Sequence, residues 1–292
     1  MVEFIQIIVS GLSAGAIYAL AAVGFTLLWQ ASQTINFAQG EFVMIPAFIV
    51  LALMTKLGLP MWIAFALGVV LSIFLLGAIF KKLIVEPMLS HGVLPLVITT
   101  IALGILLKEA AKEFYSPLGQ PFPTMFSHDV ISIFGAAISI GDLVNFFIAI
   151  GTIVALQLFL NRTQTGRCMQ ATAQSPEVAQ VLGVDIKKMI MYTFLINGAL
   201  AAIASLLITP VYLAKFSNGE ILGLVAFTAA IVGGFNQIKG ALVGGLIIGV
   251  VDNLSAAYFS AEYRQAVPLI LLILIIMLRP QGIMGQSEGR TV

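Results

Sequence analysis

The chain has 292 residues, of which 60% are hydrophobic and only 9% are charged, and its mean hydropathy is +1.08. Soluble domains carry about 25% charged residues, so this composition excludes an ordinary soluble protein and predicts a polytopic membrane protein. A net charge of +1 gives no indication of nucleic-acid binding, and a single cysteine, Cys168, excludes an internal disulfide.

Apolar segments long enough for helices follow one another along the whole chain. A helix needs about 20 apolar residues to cross the hydrocarbon core. The sequence therefore predicts an all-α fold with eight or nine transmembrane helices: Phe4–Trp29, Phe42–Leu57, Trp62–Leu83, Val93–Phe114, Ile138–Leu160, Met189–Leu213, Ile221–Gln237, Ala241–Phe259 and Ala266–Leu278. The number is eight if the glycine-rich segment Ile221–Gln237 is re-entrant. The first residues lack the basic start of a cleaved signal, so we expect the first segment to remain as a span.

The basic residues are divided unequally between the two sets of loops that nine spans would create. One side would hold nine of them and the other side five, and the longest loop on the second side, Tyr115–Ala137, contains no Lys or Arg. Because basic flanks resist translocation, the richer side is predicted to be cytoplasmic. This places the C-terminus in the cytoplasm and the N-terminus outside.

A sequence repeat relates the two halves of the chain. The segment Ala19–Leu28, followed by Phe37–Phe42, recurs as Ala199–Ile208 followed by Phe216–Ile221, with offsets of 180 and 179 residues. The alternative is a chance recurrence of Ala-Leu strings. Read as a repeat, the chain is one membrane domain with repeat one at about 4–114, a connector helix at about 138–160 and repeat two at about 189–279. The odd connector would invert the second four-helix copy, as in many transporters.

Polar residues interrupt each repeat after its first helix. Under the inverted arrangement the Phe37 break lies toward the cytoplasm and the Phe216 break toward the outside. Oriented dipoles at half-helix ends can contact a polar solute, which makes these breaks candidates for the translocation path: Asn36, Gln39, Gly40 and Glu41 in the first, and Asn218 and Glu220 in the second. The alternatives are ordinary helix capping and, for Glu41 and Glu220, a solvated position at the membrane edge.

The segment 161–188 is the long polar stretch of the cytoplasmic side. Ser175 has the chemistry of an N-cap, Pro176 suits the first helical position, and Gly183 suits a left-handed stop. This predicts a short helix on which Val178, Val181 and Leu182 share one face. An apolar face on a short helix in water favours a groove on a partner protein. It could instead pack on this protein's own helix ends or lie in the lipid interface.

Asp252 is the most internal acid of the predicted spans. It shares a helical face with Gly245 and Gly249, and small residues mark helix–helix contacts. Because a charge at mid-membrane costs about 2.5–3.5 kcal/mol, we regard Asp252, with its neighbour Asn253, as a candidate for the translocation path. The alternative is a polar contact that holds two helices together.

The string Thr165-Gly-Arg-Cys-Met-Gln-Ala-Thr-Ala-Gln-Ser-Pro-Glu-Val-Ala-Gln-Val-Leu-Gly-Val184 resembles the cytoplasmic coupling segment of permeases in branched-chain amino acid (Liv-type) ABC transporters, in particular the smaller, H-type subunit. The resemblance covers nearly the whole chain. It also includes Tyr18-Ala-Leu, Ile35-Asn-Phe-Ala-Gln-Gly-Glu41, Ala226-Phe-Thr-Ala-Ala-Ile-Val-Gly-Gly234, Gly240-Ala-Leu-Val-Gly-Gly245 and Arg279-Pro-Gln-Gly-Ile283. The chain departs from the family at Gln170, where a basic residue is common.

The resemblance implies a permease that carries branched-chain or similar apolar amino acids across the bacterial or archaeal inner membrane. It implies four kinds of partner: a second, homologous permease subunit, two cytoplasmic ATP-binding subunits, an extracytoplasmic binding protein and membrane lipid. The residues that it implies for ATPase docking are Gly166, Arg167, Ala171, Glu177, Ala179 and Gly183, beside the apolar face Val178, Val181 and Leu182. The chain has no phosphate-loop motif, so the partner subunits would bind ATP and Mg²⁺ and this chain no cofactor.

Two other classes of function would compete with an ABC permease: a secondary transporter or channel, and a membrane-embedded enzyme. A self-sufficient secondary transporter or channel would also explain an inverted repeat and a buried Asp, but it has no need of the segment 161–188. Relatives of the family carry urea or short amides, so an ABC permease for one of these solutes is a further alternative. An enzyme is disfavoured because no hydrolase or metalloprotease motif occurs, and the two histidines, His91 and His128, lack neighbours at metal-ligand spacing.

Overall fold

A computed structural model of the chain describes residues 2–33, 35–89, 91–124, 129–133, 136–259, 263–264 and 266–285. Its helices are α1 (Val2–Ser32), α2 (Gln39–Thr55), α3 (Met61–Ser72), α4 (Glu86–Leu89), α5 (Val93–Phe114), α6 (Ile140–Arg162), α7 (Gln164–Gln174), α8 (Pro176–Val181), α9 (Ile186–Tyr212), α10 (Asn218–Gly233), α11 (Ile238–Tyr258) and α12 (Ala266–Leu278). Between α3 and α4 the helix continues in the wider π form over Ile73–Ile79 and Lys81–Val85.

Each of the nine apolar segments read from the sequence forms a helix. Within the described ranges, six helices are long and apolar enough to cross a membrane: α1, the continuous stretch Met61–Met88, α5, α6, α9 and α11. The other three apolar helices, α2, α10 and α12, have 10–17 residues. The prediction of a helical, polytopic membrane protein is confirmed. Of the nine predicted spans, six correspond to described helices that are long and apolar enough to cross a membrane.

A β-hairpin replaces part of the predicted outer loop. Strand β1 (Val130–Ile133) pairs antiparallel with β2 (Ala136–Ser139), in a register that places Val130 opposite Ser139. The side-chain amide of Gln6 donates to the carbonyl of Ala137 at 3.2 Å, which ties the hairpin to the start of α1. The hairpin is a short insertion in an otherwise helical fold, and the connector helix begins at Ile140 rather than Ile138, because the apolar residues before it belong to a strand.

The chain divides into two compact units, each drawn from separate stretches of sequence. The terminal unit consists of Met1–Thr26, Phe126–Ile150 and Leu224–Val292. The central unit consists of Leu27–Met125 and Gly151–Gly223. Each unit therefore takes residues from both predicted repeats.

In the terminal unit, α1 and α11 pack at very short distance. A Cβ atom on Gly15 would lie 2.8 Å from the carbonyl oxygen of Gly245, and one on Gly249 would lie even closer to the backbone of Gly15. Small residues allow this approach, as is typical of helix pairs in membranes. After α12 the backbone N–H groups of Ile283 and Met284 donate to the carbonyls of Val232 and Gly233, at 2.9 and 3.0 Å, so the chain packs on the end of α10.

In the central unit, α2 packs against α3 and α9, and α9 runs along the π-helical stretch. Three aromatic rings fill the space between them: the ring centroid of Phe80 lies 4.8 Å from that of Phe42 and 5.8 Å from that of Phe194. Phe42 and Phe194 are among the largest fully buried side chains. In a membrane-spanning unit, close van der Waals packing of such large rings holds the helices together.

Candidate functional site

Two short helices, α7 and α8, form the polar segment between α6 and α9. The hydroxyl of Thr163 accepts from the N–H of Gly166 at 2.9 Å, and that of Ser175 accepts from the N–H of Val178 at 3.4 Å. Gly183 has φ of +81°, the left-handed conformation of a helix stop. The predicted capped helix at Ser175 is confirmed. Helix α7 was not predicted from the sequence, although Thr163, three residues before Gly166, is an N-cap residue for α7 as Ser175 is for α8.

The apolar face of α8 is open. Val178, Val181 and Leu182 are 58%, 88% and 74% exposed, while Ala179 is buried. The face does not pack on this protein's own helix ends, which was one alternative. Beside it, an open cleft is lined by Gln164, Arg167, Cys168, Ala171 and Val184.

The other residues of the implied docking surface fall into two groups. Arg167, Glu177 and Gly183 are exposed, whereas Gly166 is buried. A Cβ atom on Gly166 would lie 2.3 Å from the carbonyl oxygen of Phe159 at the end of α6. Gly166 therefore allows α7 to pack closely on the end of α6 and is not part of the exposed docking surface.

Local hydrogen bonds hold this segment between its neighbouring helices. Gln170, the residue that departs from the family pattern, donates its side-chain amide to Asn161 at 3.0 Å. Asp185 caps α9 by accepting from the N–H of Lys188 at 3.1 Å. This backbone hydrogen bond, with help from the Lys188 ammonium, holds the pKa of Asp185 below its ordinary value.

The two breaks of the repeats meet in the central unit. A Cβ atom on Gly40 would lie 2.0 Å from the carbonyl oxygen of Gly219 and 2.8 Å from the Cα of Gly223, so the first turns of α2 and α10 touch through their backbones. Gly104, near the middle of α5, lies next to the carboxyl group of Glu41. The start of α2 is therefore at mid-length of α5, well inside the bundle.

Glu41 and Glu220 differ in their surroundings. Glu41 is only 7% exposed, so the alternative of a solvated position at the membrane edge is wrong for it: the glycine contacts draw the start of α2 into the protein. Glu220 pairs with Lys108 of α5 at 2.6 Å, and its side chain is 69% exposed. Sequence reasoning missed Lys108, since nothing in the sequence connects it with a residue 112 positions away.

The amide residues of the first break are buried and mostly paired. Gln39 and Asn197 exchange two side-chain hydrogen bonds, at 2.8 and 3.0 Å, between α2 and α9. The side-chain oxygen of Asn36 accepts from the N–H of Ala38 at 3.0 Å. In the second break, Asn218 donates to the carbonyl of Leu213 at 2.6 Å, which is ordinary local capping. Asn197 was missed, although it stands out as a polar residue within the apolar segment Met189–Leu213.

Asp252 lies in the terminal unit and is fully paired. Its carboxylate accepts from Arg264 Nε and Nη2 at 2.8 and 2.6 Å and from the Tyr18 hydroxyl at 3.1 Å. Such a two-point arginine contact has strict geometry. These bonds favour the interpretation of Asp252 as a residue that holds helices together. Its neighbour Asn253 donates back to the carbonyl of Gly249 at 3.1 Å, within α11.

No group of three His, Cys, Asp or Glu residues suited to a metal ion occurs in the parts of the chain that the structure describes. His91 lies 2.8 Å from the carbonyl of Pro87 through Nδ1. His128 falls outside the described residues.

Known proteins similar to this chain are transport permeases. The family profile "Branched-chain amino acid transport system / permease component" matches residues 7–276. The high-affinity branched-chain amino acid transport system permease protein BraD of Pseudomonas aeruginosa is 32% identical, over 99% of this chain and 98% of BraD. LivH of Salmonella typhimurium, with the same description, is also 32% identical over 99% and 98%. A probable LivH of Methanocaldococcus jannaschii is 28% identical, over 91% of this chain and 88% of that protein.

The family profile covers most of the chain, and the relatives have nearly the same length as this chain. Both findings agree with the coupling-segment motif and with the helical membrane fold. These relatives are transport proteins and not enzymes. The chain belongs to the family of permease components of branched-chain amino acid transport systems and is a membrane-spanning permease.

Proposed function

We propose that this chain is the membrane subunit of an ABC importer that carries branched-chain or related apolar amino acids, driven by separate ATPase subunits. The observation that carries the proposal is the open apolar face of α8, formed by Val178, Val181 and Leu182 beside the cleft at Arg167 and Ala171. A self-sufficient carrier has no use for such a face. An ATPase groove would cover it, and movement of the groove would then act on α6 and α9 through α7 and α8.

The proposed partners follow from this surface and from the relatives. Two cytoplasmic ATP-binding subunits supply ATP and Mg²⁺ chemistry, a homologous second permease subunit completes the membrane part, and an extracytoplasmic binding protein delivers the solute. Membrane lipid covers the remaining apolar surface. The chain itself holds no cofactor in this proposal.

The proposed architecture has nine spans arranged as two inverted four-helix repeats around α6, with the N-terminus outside and the C-terminus in the cytoplasm. Gly40 and Gly219, which the repeat makes equivalent, touch each other, as residues close to a two-fold axis must do. Each unit also pairs the first helix of one repeat with the third helix of the other. In the terminal unit α1 packs on α11, and in the central unit Gly77 of the π-helical stretch lies against Leu195 of α9.

The proposed translocation path passes the start of α2, where Asn36, Gln39, Gly40 and Glu41 are buried at mid-length of α5. Asn218 and Glu220 lie beside it. We assign Asp252 and Asn253 a structural role instead, because Asp252 is paired with Arg264 and Tyr18.

Reconstitution into proteoliposomes tests the function. The chain is purified with its partner subunits and supplied with binding protein, and uptake of radiolabelled leucine and urea is measured with and without ATP. We expect ATP-dependent uptake of leucine. Uptake by the isolated chain without ATPase subunits would show a self-sufficient carrier, and ATP-dependent uptake of urea but not leucine would show an amide or urea permease.

A further inference from the structure

Lys108 of α5 and Glu220 of α10 form an ion pair on an exposed, largely apolar face of the central unit. The ammonium Nζ lies 2.6 Å from the carboxylate Oε2, and the two side chains are 27% and 69% exposed. Ile101 and Ile105 of α5 and Ile221 of α10 are also exposed. Spacings of four and three residues place Ile101, Ile105 and Lys108 on one face of α5. The pair is therefore an open polar group among apolar side chains.

Contacts of the neighbouring residues place this pair inside the membrane-spanning part of α5. A Cβ atom on Gly219, next to Glu220, would lie 3.0 Å from the Cα of Glu41. The carboxyl group of Glu41 in turn lies beside Gly104, near the middle of α5. Because helical side chains lean toward the N-terminus of their helix, the Lys108 side chain extends back toward this level. The pair is therefore not at the polar end of α5.

Lipid is an unsuitable neighbour for this pair. Charged side chains within membrane spans are costly against hydrocarbon, and they face the interior of a bundle or a water-filled cavity instead. The Glu220 carboxylate is mostly exposed, so the surface in front of it must be covered by water, by a polar solute or by another subunit. A transported solute is favoured because the start of α2, where the proposed path passes, adjoins the pair.

The charges of this cluster match those of a free amino acid. Glu41 is close enough to interact electrostatically with both Lys108 and Glu220, so two carboxylates lie around one ammonium group. The excess negative charge favours a cation at the exposed acid, Glu220. A free amino acid carries one ammonium and one carboxylate group, which can pair with Glu220 and Lys108 and so replace one ion pair by two. Urea, which has no charge, would gain neither.

We propose that Lys108 and Glu220 form a zwitterion-binding subsite of the translocation path, in which Glu220 binds the ammonium group of an amino acid and Lys108 its carboxylate. Ile105, one turn from Lys108, and Ile221, next to Glu220, contact the apolar side chain of the solute. Exposed ion pairs stabilise a fold only weakly, so this pair can open for the solute. The inference rests on the proposed function and adds to it the residues that bind the two charged groups.

Replacing both charges separates solute binding from a structural role. The double variant Lys108→Met with Glu220→Met removes the ion pair but keeps two side chains of similar length, which a merely structural contact at this exposed position should tolerate. In proteoliposomes with the complete transporter and saturating leucine-loaded binding protein, we expect leucine uptake to fall at least about tenfold. The melting temperature, the amount of assembled complex and the basal ATPase rate should stay at the wild-type level.

A second ion pair of α5 provides the matched control. Lys112 pairs with Glu109 at 3.1 Å, closer to the end of the helix, and both side chains are about half exposed. Lys112→Met with Glu109→Met makes the same change of charge on the same helix outside the proposed subsite. We expect this variant to take up leucine at the wild-type rate. A fall as large as that of the first double variant would show a general effect of charge on α5 and would overturn the subsite.

The outcomes distinguish this inference from the proposed function. Normal uptake by Lys108→Met with Glu220→Met would overturn the subsite while leaving the importer intact. Loss of the second permease subunit from that purified variant would identify the pair as a subunit contact and would overturn the subsite too. Failure of the wild-type complex to take up leucine at all would overturn the function itself.

If the double variant does not reach the membrane, two single variants at Glu220 decide. Leucine uptake should fall with Glu220→Gln, which keeps the shape of the side chain but removes its charge, and should persist with Glu220→Asp, which keeps the charge. Equal uptake by the two variants would contradict binding of the ammonium group by Glu220.

Discussion

Gln39 and Asn197 form a reciprocal amide pair, in which each side chain donates one hydrogen bond to the other at 2.8 and 3.0 Å. Both residues are completely buried, so neither has water as an alternative partner. The pair fixes the start of α2 on α9.

Replacing both amides of this pair should cost less than the two single replacements added together. Gln39→Met or Asn197→Leu leaves a buried amide unpaired, at a cost of about 1–3 kcal/mol. The double variant, which removes both polar groups at similar volume, should be destabilised by less than the sum of the single variants. Thermal unfolding of the purified protein in detergent measures this coupling. Strictly additive losses would show that the two hydrogen bonds do not act as a pair.

The contact between Gly40 and Gly219 leaves no room for a side chain. Gly40→Ala would place a methyl group 2.0 Å from the Gly219 carbonyl oxygen and should separate α2 from α10, at a cost of about 1–3 kcal/mol. Gly151→Ala is the matched control, because a Cβ there meets no atom within 4 Å and alanine favours the helix. Melting temperatures of the two variants should shift in opposite directions. A Gly40→Ala variant as stable as wild type would contradict the close approach.

The ion pair between Asp252 and Arg264 predicts that stability and uptake depend more on the balance of charge between the two side chains than on the carboxylate itself. Asp252→Asn leaves the arginine without its counter-charge, and breaking a buried pair costs up to about 3–5 kcal/mol, less here because Arg264 is partly exposed. We expect lower thermal stability and lower uptake.

The combined variant Asp252→Asn with Arg264→Gln should recover part of both, measured by melting temperature and leucine uptake. If the double variant regains stability but transports nothing, Asp252 or Arg264 has a direct role in the path and the purely structural assignment is wrong.

The exposed face of α8 predicts a coupling defect. Val181→Asp or Leu182→Asp places a charge where an apolar groove is expected, so ATP-dependent uptake should fall at least about tenfold while insertion into the membrane stays normal. Gln180→Asp, at an exposed position on the same helix outside the apolar face, serves as the control. Uptake and ATP hydrolysis are measured together in proteoliposomes. Normal uptake in both face variants would exclude docking through this face.

Local features of this protein could be read from its sequence, because they depend on neighbouring residues. Ser175, Pro176 and Gly183 define α8 through capping and turn preferences that act over a few positions. The apolar segments likewise identified every long helix. The hairpin of β1 and β2 was missed because a short apolar run next to a predicted span does not distinguish a strand from a helix end.

Partners distant in sequence could not be read in the same way. Asp252 was recognised as a candidate, but Arg264 lies beyond the end of its helix and only the fold brings them together. The burial of Glu41 depends on contacts with Gly104 and Gly219 in other helices. The repeat made Gly40 and Gly219 equivalent, yet equivalence alone does not imply that two residues touch.

Cys168 borders the cleft on α7 and is partly exposed, next to Arg167 and Ala171. It is the single cysteine of the 292-residue chain. A thiol-reactive fluorophore would therefore attach to this subunit at one defined position, without any prior removal of other cysteines. The natural sequence thus supplies its own reporter for measuring, in real time, when a partner covers the surface around α7 and α8.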